Sequence, residues 1–127
     1  MRNLLDGLRV LVLEDEFLIA MDVEQLCRDN GAADVTIARD VDEIELDGAR
    51  SFDVAIVDLM LGGVSTLGFA GRLRERGIPF VFASGYSSQE AITADFPGVT
   101  LVQKPYSGAD LIEAVAAMCG RRPPAEV

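Results

Sequence analysis

The chain has 127 residues, half of them hydrophobic, and a formal net charge of −10. That length suits one domain with a substantial core. The acidic surface, with a sequence pI of about 4.3, repels nucleic acid and anionic membrane, so direct DNA binding is not expected. The sequence shows neither a bilayer-length apolar run nor a charged-then-apolar leader, and we therefore expect a cytoplasmic protein without membrane association.

The chain contains two cysteines and no histidine. Without histidine there can be no imidazole metal site, no histidine-based catalytic triad and no phosphohistidine on this chain. Cys27 and Cys119 lie far apart without metal-type spacing. Both fall on apolar faces of predicted helices, so we expect two reduced thiols in the core.

Strands and helices are predicted to alternate five times along the chain. The predicted strands are 9–13, 35–38, 54–58, 79–83 and 99–102, and the predicted helices are 16–30, 40–49, 66–76, 88–95 and 107–120. Such alternation with short connections predicts an α/β fold, a doubly wound parallel sheet with helices on both faces. We expect one domain over residues 1–120, followed by a flexible tail at 121–127.

The third predicted strand ends at an aspartate. Val54 to Val57 shows no polar alternation, which is typical of a central strand covered on both faces, and Asp58 follows directly. An isolated aspartate at this point would most simply end the strand or cap a turn. However, three other predicted strands also end in polar groups, namely the pair Glu14 and Asp15, then Ser84, then Lys104. In a parallel sheet these ends share one edge, where ligands collect, so we interpret them as one site.

These residue types suit phosphoryl chemistry. Glu16 is expected to open the first helix, where a negative charge is favourable, leaving Glu14 and Asp15 as a candidate cation site. Paired carboxylates with a backbone carbonyl suit Mg²⁺. A carboxylate beside that ion can attack phosphorus and form an acyl phosphate. The ion, a lysine ammonium and a hydroxyl donor would stabilise the transition-state charge.

Nearly the whole chain resembles the receiver domain of two-component response regulators. The resemblance rests on four motifs that occur in order at the expected strand ends: Val10 to Glu16, Asp53 to Asp58, Ala83-Ser84-Gly85 and Lys104-Pro105. It implies a flavodoxin-like five-stranded sheet in the order 2-1-3-4-5. It also implies a phosphoacceptor signalling domain that assists its own phosphorylation and dephosphorylation, rather than an enzyme with a separate substrate.

The resemblance also assigns roles to individual residues. Asp58 would be the phosphoacceptor, Glu14 and Asp15 would belong to the acid pocket, and the cofactor would be Mg²⁺. The ion would be held by these three carboxylates and by the backbone carbonyl of Met60. The phosphoryl group would come from a phosphohistidine on a sensor histidine kinase or phosphotransfer protein.

Two further residues, Ser84 and Lys104, would contact the phosphoryl group, and a cis peptide would join Lys104 to Pro105. A downstream protein partner would dock on the face made by the predicted fourth helix, fifth strand and fifth helix. The segment from Ser84 to Asp95 would be the mobile element that responds to phosphorylation.

The sequence departs from the usual receiver pattern at two positions. Glu14 stands where aspartate is commoner, and Leu101 stands where an aromatic switch residue is usual, three residues before the lysine. The standard hydroxyl–aromatic coupling therefore cannot operate. The segment from Pro79 to Tyr86 resembles a receiver subgroup with a Phe-Ala-Thr-Gly-Tyr signature, whose members often stand alone and lack that aromatic.

Two other functions stay open at this point. One is a degenerate interaction domain that works without phosphorylation. The presence of Asp58, Ser84 and Lys104 argues against it. The other is a small flavodoxin-like cofactor binder, but flavin phosphate requires a hydroxyl- and glycine-rich loop after the first strand, and the acidic run from Glu14 to Glu16 has the wrong charge.

Overall fold

The computed structural model describes residues 4–40, 42, 44, 52–61, 64–84, 101–103 and 108–120. The strands in this part of the chain are β1 (Arg9–Leu13), β2 (Asp34–Ala38), β3 (Val54–Asp58), β4 (Met60–Leu61), β5 (Val64–Ser65), β6 (Phe80–Ser84) and β7 (Leu101–Gln103). The helices are α1 (Phe17–Asp29), α2 (Leu67–Glu75) and α3 (Gly108–Met118). The predicted helix at 88–95, most of that at 40–49 and the predicted tail lie outside the described residues.

Five strands form one parallel sheet in the order β2-β1-β3-β6-β7. When only the long strands are counted, this is the predicted order 2-1-3-4-5, so the doubly wound flavodoxin-like fold is confirmed. Leu13 at the end of β1 pairs with Val57, and Asp58 at the end of β3 pairs with Ala83 of β6. The carboxyl ends of these three central strands therefore lie level with one another.

The sheet carries a hydrophobic core on each face. Helices α1 and α3 cover one face, which the sheet supplies with alternate residues: Val10, Val12, Val54, Ile56, Val81 and Val102. Helix α2 packs on the other face through Phe69, Ala70 and Leu73, against Leu11, Leu13, Ala55, Val57, Phe80 and Phe82. Because β3 contributes to both cores, all five of its residues are buried, as its unbroken apolar run predicts.

An ion pair joins the first residue of β1 to the residue before β3 at the amino edge of the sheet. The Arg9 backbone N–H donates to Asp53 Oδ2 at 2.8 Å, and its guanidinium donates to both carboxylate oxygens at 3.2 Å. The Asp53 N–H returns a hydrogen bond to the Arg9 carbonyl at 2.8 Å. The hydrogen bond and charge of Asp53 raise the pKa of the Arg9 guanidinium.

Helix α1 follows its sequence pattern closely. Glu16 is its N-cap residue and Asn30 its C-cap, and Gly31 continues with a φ of +94°, which favours glycine. The spacing of Ile19, Val23, Leu26 and Cys27 in the sequence predicts one apolar face, and Val23 and Cys27 are indeed buried. Burial raises the pKa of the Cys27 thiol to about 12, which matches a reduced core cysteine, whereas Cys119 is only partly buried.

One element was not predicted. Residues 60–61 and 64–65 pair as a short antiparallel ladder, β4 with β5, immediately after Asp58. Strands of two residues are too short to show a hydrophobic period, so the sequence pattern could indicate only a loop there. Among the described helices, none is long and apolar enough to cross a membrane.

A pair of glycine substitutions tests the packing of α1 against α3. Gly71 lies within α2 and a Cβ there would meet no atom within 4 Å, whereas a Cβ on Gly108 would lie 2.7 Å from Leu26 Cδ2. We expect Gly71→Ala to raise the free energy of unfolding by about 0.5–1 kcal/mol through helix propensity. Gly108→Ala should gain less or lose stability, because Leu26 must move. Urea unfolding followed by circular dichroism measures both, and equal gains would contradict the close approach of the two helices.

Candidate functional site

Three carboxylates meet at the carboxyl edge of the sheet. Glu14 follows β1 directly, Asp15 comes next, and Asp58 is the last residue of β3. One carboxylate oxygen from each residue lies within 4.8 Å of the corresponding oxygens of the other two. The parallel pairing of β1 with β3 is the cause, since it ends at Leu13 and Val57 and leaves the next residues of both strands side by side. The structure thus brings together the acid pair and the strand-end aspartate singled out in the sequence.

The three carboxylates have little contact with solvent. Glu14 is only 4% exposed and Asp58 9%, while Asp15 is partly buried. Carboxylate oxygens within 4.8 Å of one another repel, and the repulsion is stronger where burial lowers the effective dielectric. A divalent cation would offset this repulsion, and carboxylate oxygens are the donors that Mg²⁺ prefers. The donor set therefore fits a hard divalent ion.

The backbone after Asp58 is held from both sides. The Leu59 N–H donates to the Ala83 carbonyl of β6 at 3.0 Å. The Thr66 hydroxyl lies 2.6 Å from the Asp58 carbonyl oxygen and 3.1 Å from the Leu59 carbonyl oxygen. The β4–β5 hairpin, which contains the backbone of Met60, therefore leaves and returns beside the site.

Of the other two predicted site residues, Ser84 belongs to the described part of the chain and Lys104 does not. Ser84 is the last residue of β6 and follows Ala83, the partner of Asp58, so its backbone lies at the same edge. Lys104 lies outside the described residues, as do Pro105 and the segment 85–95. In the sequence, Lys104 directly follows Gln103, the final residue of β7. Leu101 is partly buried and packs against the core beneath α2.

Helix α1 carries an exposed apolar patch that the sequence analysis missed. The patch consists of Phe17, Leu18 and Met21, which are 65%, 76% and 48% exposed. It begins two residues after Asp15, and at 100° per residue it lies opposite the buried face of Val23. The signal was present in the sequence, because these three apolar residues share a helical face other than the one expected to be buried.

Thr66 is a further residue near the site that the sequence pattern did not indicate. Its position before α2 indicates an ordinary helix start, and threonine is common there. The structure shows instead a side chain that is 1% exposed and bonded to the end of β3. Sequence spacing holds no signal for this contact, because it depends on the unpredicted hairpin.

The chain is similar to a known protein family and to curated proteins. A family model described as the response regulator receiver domain matches residues 10–116. The transcriptional regulatory protein PdtaR of Mycobacterium tuberculosis is 30% identical over 117 residues, covering 89% of this chain and 57% of that protein. The chain thus spans little more than half the length of the curated relatives it matches.

Solved structures agree with the family match. The receiver domain of the Francisella response regulator 1452 superposes with a TM-score of 0.75 at 25% identity, covering 90% of this chain and 98% of that one. The response regulator PhyR from Brucella abortus gives a TM-score of 0.73 at 27% identity, covering 92% of this chain and 50% of that one. Both superpositions cover at least 90% of this chain.

Neutralising one of the crowded carboxylates is predicted to have opposite effects on the free energy of unfolding without and with Mg²⁺. Without metal, Asp15→Asn should raise the free energy of unfolding by about 1 kcal/mol, because it removes repulsion that solvent only partly screens. With Mg²⁺, the same variant should lose most of the stabilisation that the wild type gains by binding the ion. Glu14→Gln should lose less of the Mg²⁺ effect, its contact being longer or water-mediated.

Thermal unfolding in EDTA and in saturating Mg²⁺ measures both effects. Asp22→Asn is the matched control, since it makes the same change in net charge at an exposed position of α1 outside the cluster. Equal Mg²⁺ stabilisation in Asp15→Asn and Asp22→Asn would contradict the cation site.

Proposed function

This chain belongs to the response regulator receiver domain family, and from that premise we propose that Asp58 accepts a phosphoryl group from a phosphohistidine of a sensor kinase or phosphotransfer protein. The observation that carries the proposal is the cluster of Glu14, Asp15 and Asp58 at the carboxyl edge of the sheet. A signalling role is what this family performs. The donor, the metal dependence and the individual residues are our proposal for this chain.

The transfer follows from the chemistry of the cluster. An Asp58 oxygen attacks phosphorus, the phosphorus–nitrogen bond breaks, and the donor imidazole leaves with the electron pair of that bond. The product is an acyl phosphate on Asp58, which a water molecule later hydrolyses to aspartate and inorganic phosphate. The domain thus assists its own phosphorylation and dephosphorylation.

Each neighbouring group has a part in this scheme. Glu14, Asp15, Asp58 and the Met60 carbonyl would hold Mg²⁺, which when bound would neutralise charge on the transferring phosphoryl oxygens. We propose that Ser84 donates a hydrogen bond to the phosphoryl group, since its backbone lies at the same edge of the sheet. Lys104, next in sequence after β7, would supply a positive charge to the same oxygens.

The two competing functions fit the site less well. A degenerate interaction domain has no need of three crowded acids, two of them buried, because their repulsion lowers stability without benefit. A cofactor binder of the flavodoxin type would place a phosphate after β1, where Glu14 and Asp15 would repel it. In a phosphoacceptor domain, by contrast, the acids would bind a divalent ion that offsets their repulsion.

The patch of Phe17, Leu18 and Met21 supports a docking place for the phosphodonor. It lies on the helix that begins directly after the acids, so a protein seated there would bring its phosphohistidine near Asp58. Exposed apolar side chains of this size mark interaction surfaces. Exposed Glu16, the N-cap residue of this helix, and exposed Asp22 within it favour a donor whose rim is basic, and disfavour a second copy of this chain.

The output partner is assigned to other elements than α1. We propose that it docks on the face made by the predicted helix at 88–95, by β7 and by α3. A cytoplasmic location follows from the proposal, because the phosphoryl group comes from kinases that use cytoplasmic ATP.

The proposal predicts one phosphoryl group per chain. Incubation with Mg²⁺ and a small phosphodonor such as acetyl phosphate should give a single added phosphoryl group by intact mass, and none in EDTA. Asp58→Asn should gain none, because the amide is not a nucleophile. Asp34→Asn is the control, because Asp34 is an exposed aspartate at the amino end of β2 and its substitution should leave the phosphorylation unchanged. Phosphorylation of Asp58→Asn at the wild-type rate would refute the assignment.

If the patch is the docking surface, a substitution in it should slow phosphorylation by a kinase but not by a small phosphodonor. Leu18→Glu should slow transfer from any histidine kinase that phosphorylates the wild type by about tenfold or more, since it places a charge in an apolar contact. Its rate with acetyl phosphate should be unchanged. Ala117→Glu, at an exposed position of α3, is the matched control. Equal kinase rates for Leu18→Glu and the wild type would exclude the patch as the docking surface.

A further inference from the structure

Thr66 has the position of a helix cap without making the usual capping bond. It is the N-cap residue of α2, yet its side chain makes no hydrogen bond to that helix. A capping threonine normally accepts a hydrogen bond from an N–H in the first turn. Here the hydroxyl instead faces the end of β3, 2.6 Å from the Asp58 carbonyl oxygen, and the whole side chain is buried. The contact therefore gives Thr66 a second role.

The peptide unit that follows Asp58 is fixed at both of its polar ends. Its carbonyl, from Asp58, accepts from the Thr66 hydroxyl, and its N–H, from Leu59, donates to the Ala83 carbonyl at 3.0 Å. Because a peptide unit is planar, holding both ends fixes the rotation about the Asp58 Cα–C bond and about the Leu59 N–Cα bond. Without Thr66, this unit would be held only from the β6 side.

Thr66 also holds the next peptide unit. Its own N–H donates to the Leu59 carbonyl at 3.0 Å, and its hydroxyl oxygen lies 3.1 Å from the same carbonyl oxygen. Two consecutive carbonyls after the strand end are thus bound by one residue. The backbone between the Asp58 carboxylate and the Met60 carbonyl runs through both of these units, so their relative position depends on Thr66.

We propose that Thr66 is a positioning residue for the phosphoacceptor, whose hydroxyl sets the Asp58 carboxylate and the Met60 carbonyl in the arrangement that a divalent cation and an incoming phosphoryl group require. The proposal rests on the function proposed above and assigns part of it to a residue that touches neither the ion nor the phosphoryl group. Small displacements at a reacting centre reduce rates strongly, so loss of one well-placed hydrogen bond is expected to be measurable.

A merely structural role makes a different prediction. If Thr66 only satisfied buried backbone groups, its loss would lower stability and leave the folded molecules as active as the wild type. A positioning role also changes the affinity for Mg²⁺ and the phosphorylation rate of molecules that are fully folded. The two roles are therefore separated by measurements made below the unfolding transition of each variant.

The experiment compares four variants of the full chain. Thr66→Val and Thr66→Ala remove the hydroxyl, while Thr66→Ser keeps it and loses the methyl group. Thr36→Val removes a threonine hydroxyl from β2, away from the carboxyl edge, and is the matched control. For each variant we would measure the Mg²⁺ dissociation constant by NMR titration, the phosphorylation rate with acetyl phosphate at saturating Mg²⁺, and the metal-free chemical shifts of the Asp58 carbonyl and Leu59 amide.

The expected results distinguish hydroxyl loss from methyl loss. Thr66→Val and Thr66→Ala should weaken Mg²⁺ binding and slow phosphorylation by about tenfold or more, with shifts of the Asp58 carbonyl and Leu59 amide signals already present without metal. Thr66→Ser should stay within about threefold of the wild type, well inside the tenfold that 1.4 kcal/mol represents. Thr36→Val should match the wild type.

Several outcomes would overturn the proposal. They are wild-type Mg²⁺ affinity and rate in folded Thr66→Val or Thr66→Ala, an equal loss in Thr66→Ser and Thr66→Ala, or failure of both hydroxyl-free variants to fold, which would indicate a purely structural role. Failure of the proposed function looks different, because the wild type itself would then gain no phosphoryl group on Asp58. The metal-free shifts report the hydrogen bond in either case.

Discussion

The parallel pairing of β1 with β3 is the constraint on which the site depends. At the amino edge of the sheet the two strands begin with an attractive contact, in which Arg9 binds the Asp53 carboxylate through its backbone and its guanidinium. At the carboxyl edge the same two strands end in carboxylates that repel one another. A single register produces both results, since the strand pairing that places Asp53 beside Arg9 also brings Asp58 level with Glu14.

The crowded acids lower the local stability of the strand ends, although the proposed function requires them there. The buried hydrophobic faces of the sheet stabilise the strands strongly enough that their ends can carry unfavourable charge. Such local violations of stability rules are expected at functional sites. A cation or a phosphoryl group would change the local charge balance, and that dependence is the physical basis of a switch. We therefore propose that the acids form a site that becomes stable when it is occupied.

Much of the fold was predictable because it depends on long hydrophobic patterns. The unbroken apolar run of β3 and the helical spacing of Val23 and Cys27 were sufficient to place those elements, and the alternation of strands and helices gave the parallel sheet. The acid cluster was predictable for the same reason, since parallel strands end at one edge. The strand order came from the resemblance to a known family, and the structure confirms it.

Other features could not be predicted, because they arise from contacts rather than patterns. The hydrogen bond from Thr66 to the Asp58 carbonyl requires the chain to return through the β4–β5 hairpin, whose strands are too short to give a period. The α1 patch was visible in the sequence as a second apolar face, but the exposure of its three side chains is known only from the structure. The roles of Ser84 and Lys104 remain predictions from their positions at the ends of strands.

The most direct test of the account is a crystal structure of the protein grown with Mg²⁺ and beryllofluoride, a stable mimic of the acyl phosphate. The account predicts beryllofluoride on an Asp58 carboxylate oxygen, with Mg²⁺ beside it held by Asp15, Asp58 and the Met60 carbonyl and by Glu14 directly or through water. An Asp58 carboxylate free of beryllofluoride at saturating concentrations, or Mg²⁺ bound away from the three acids, would contradict it.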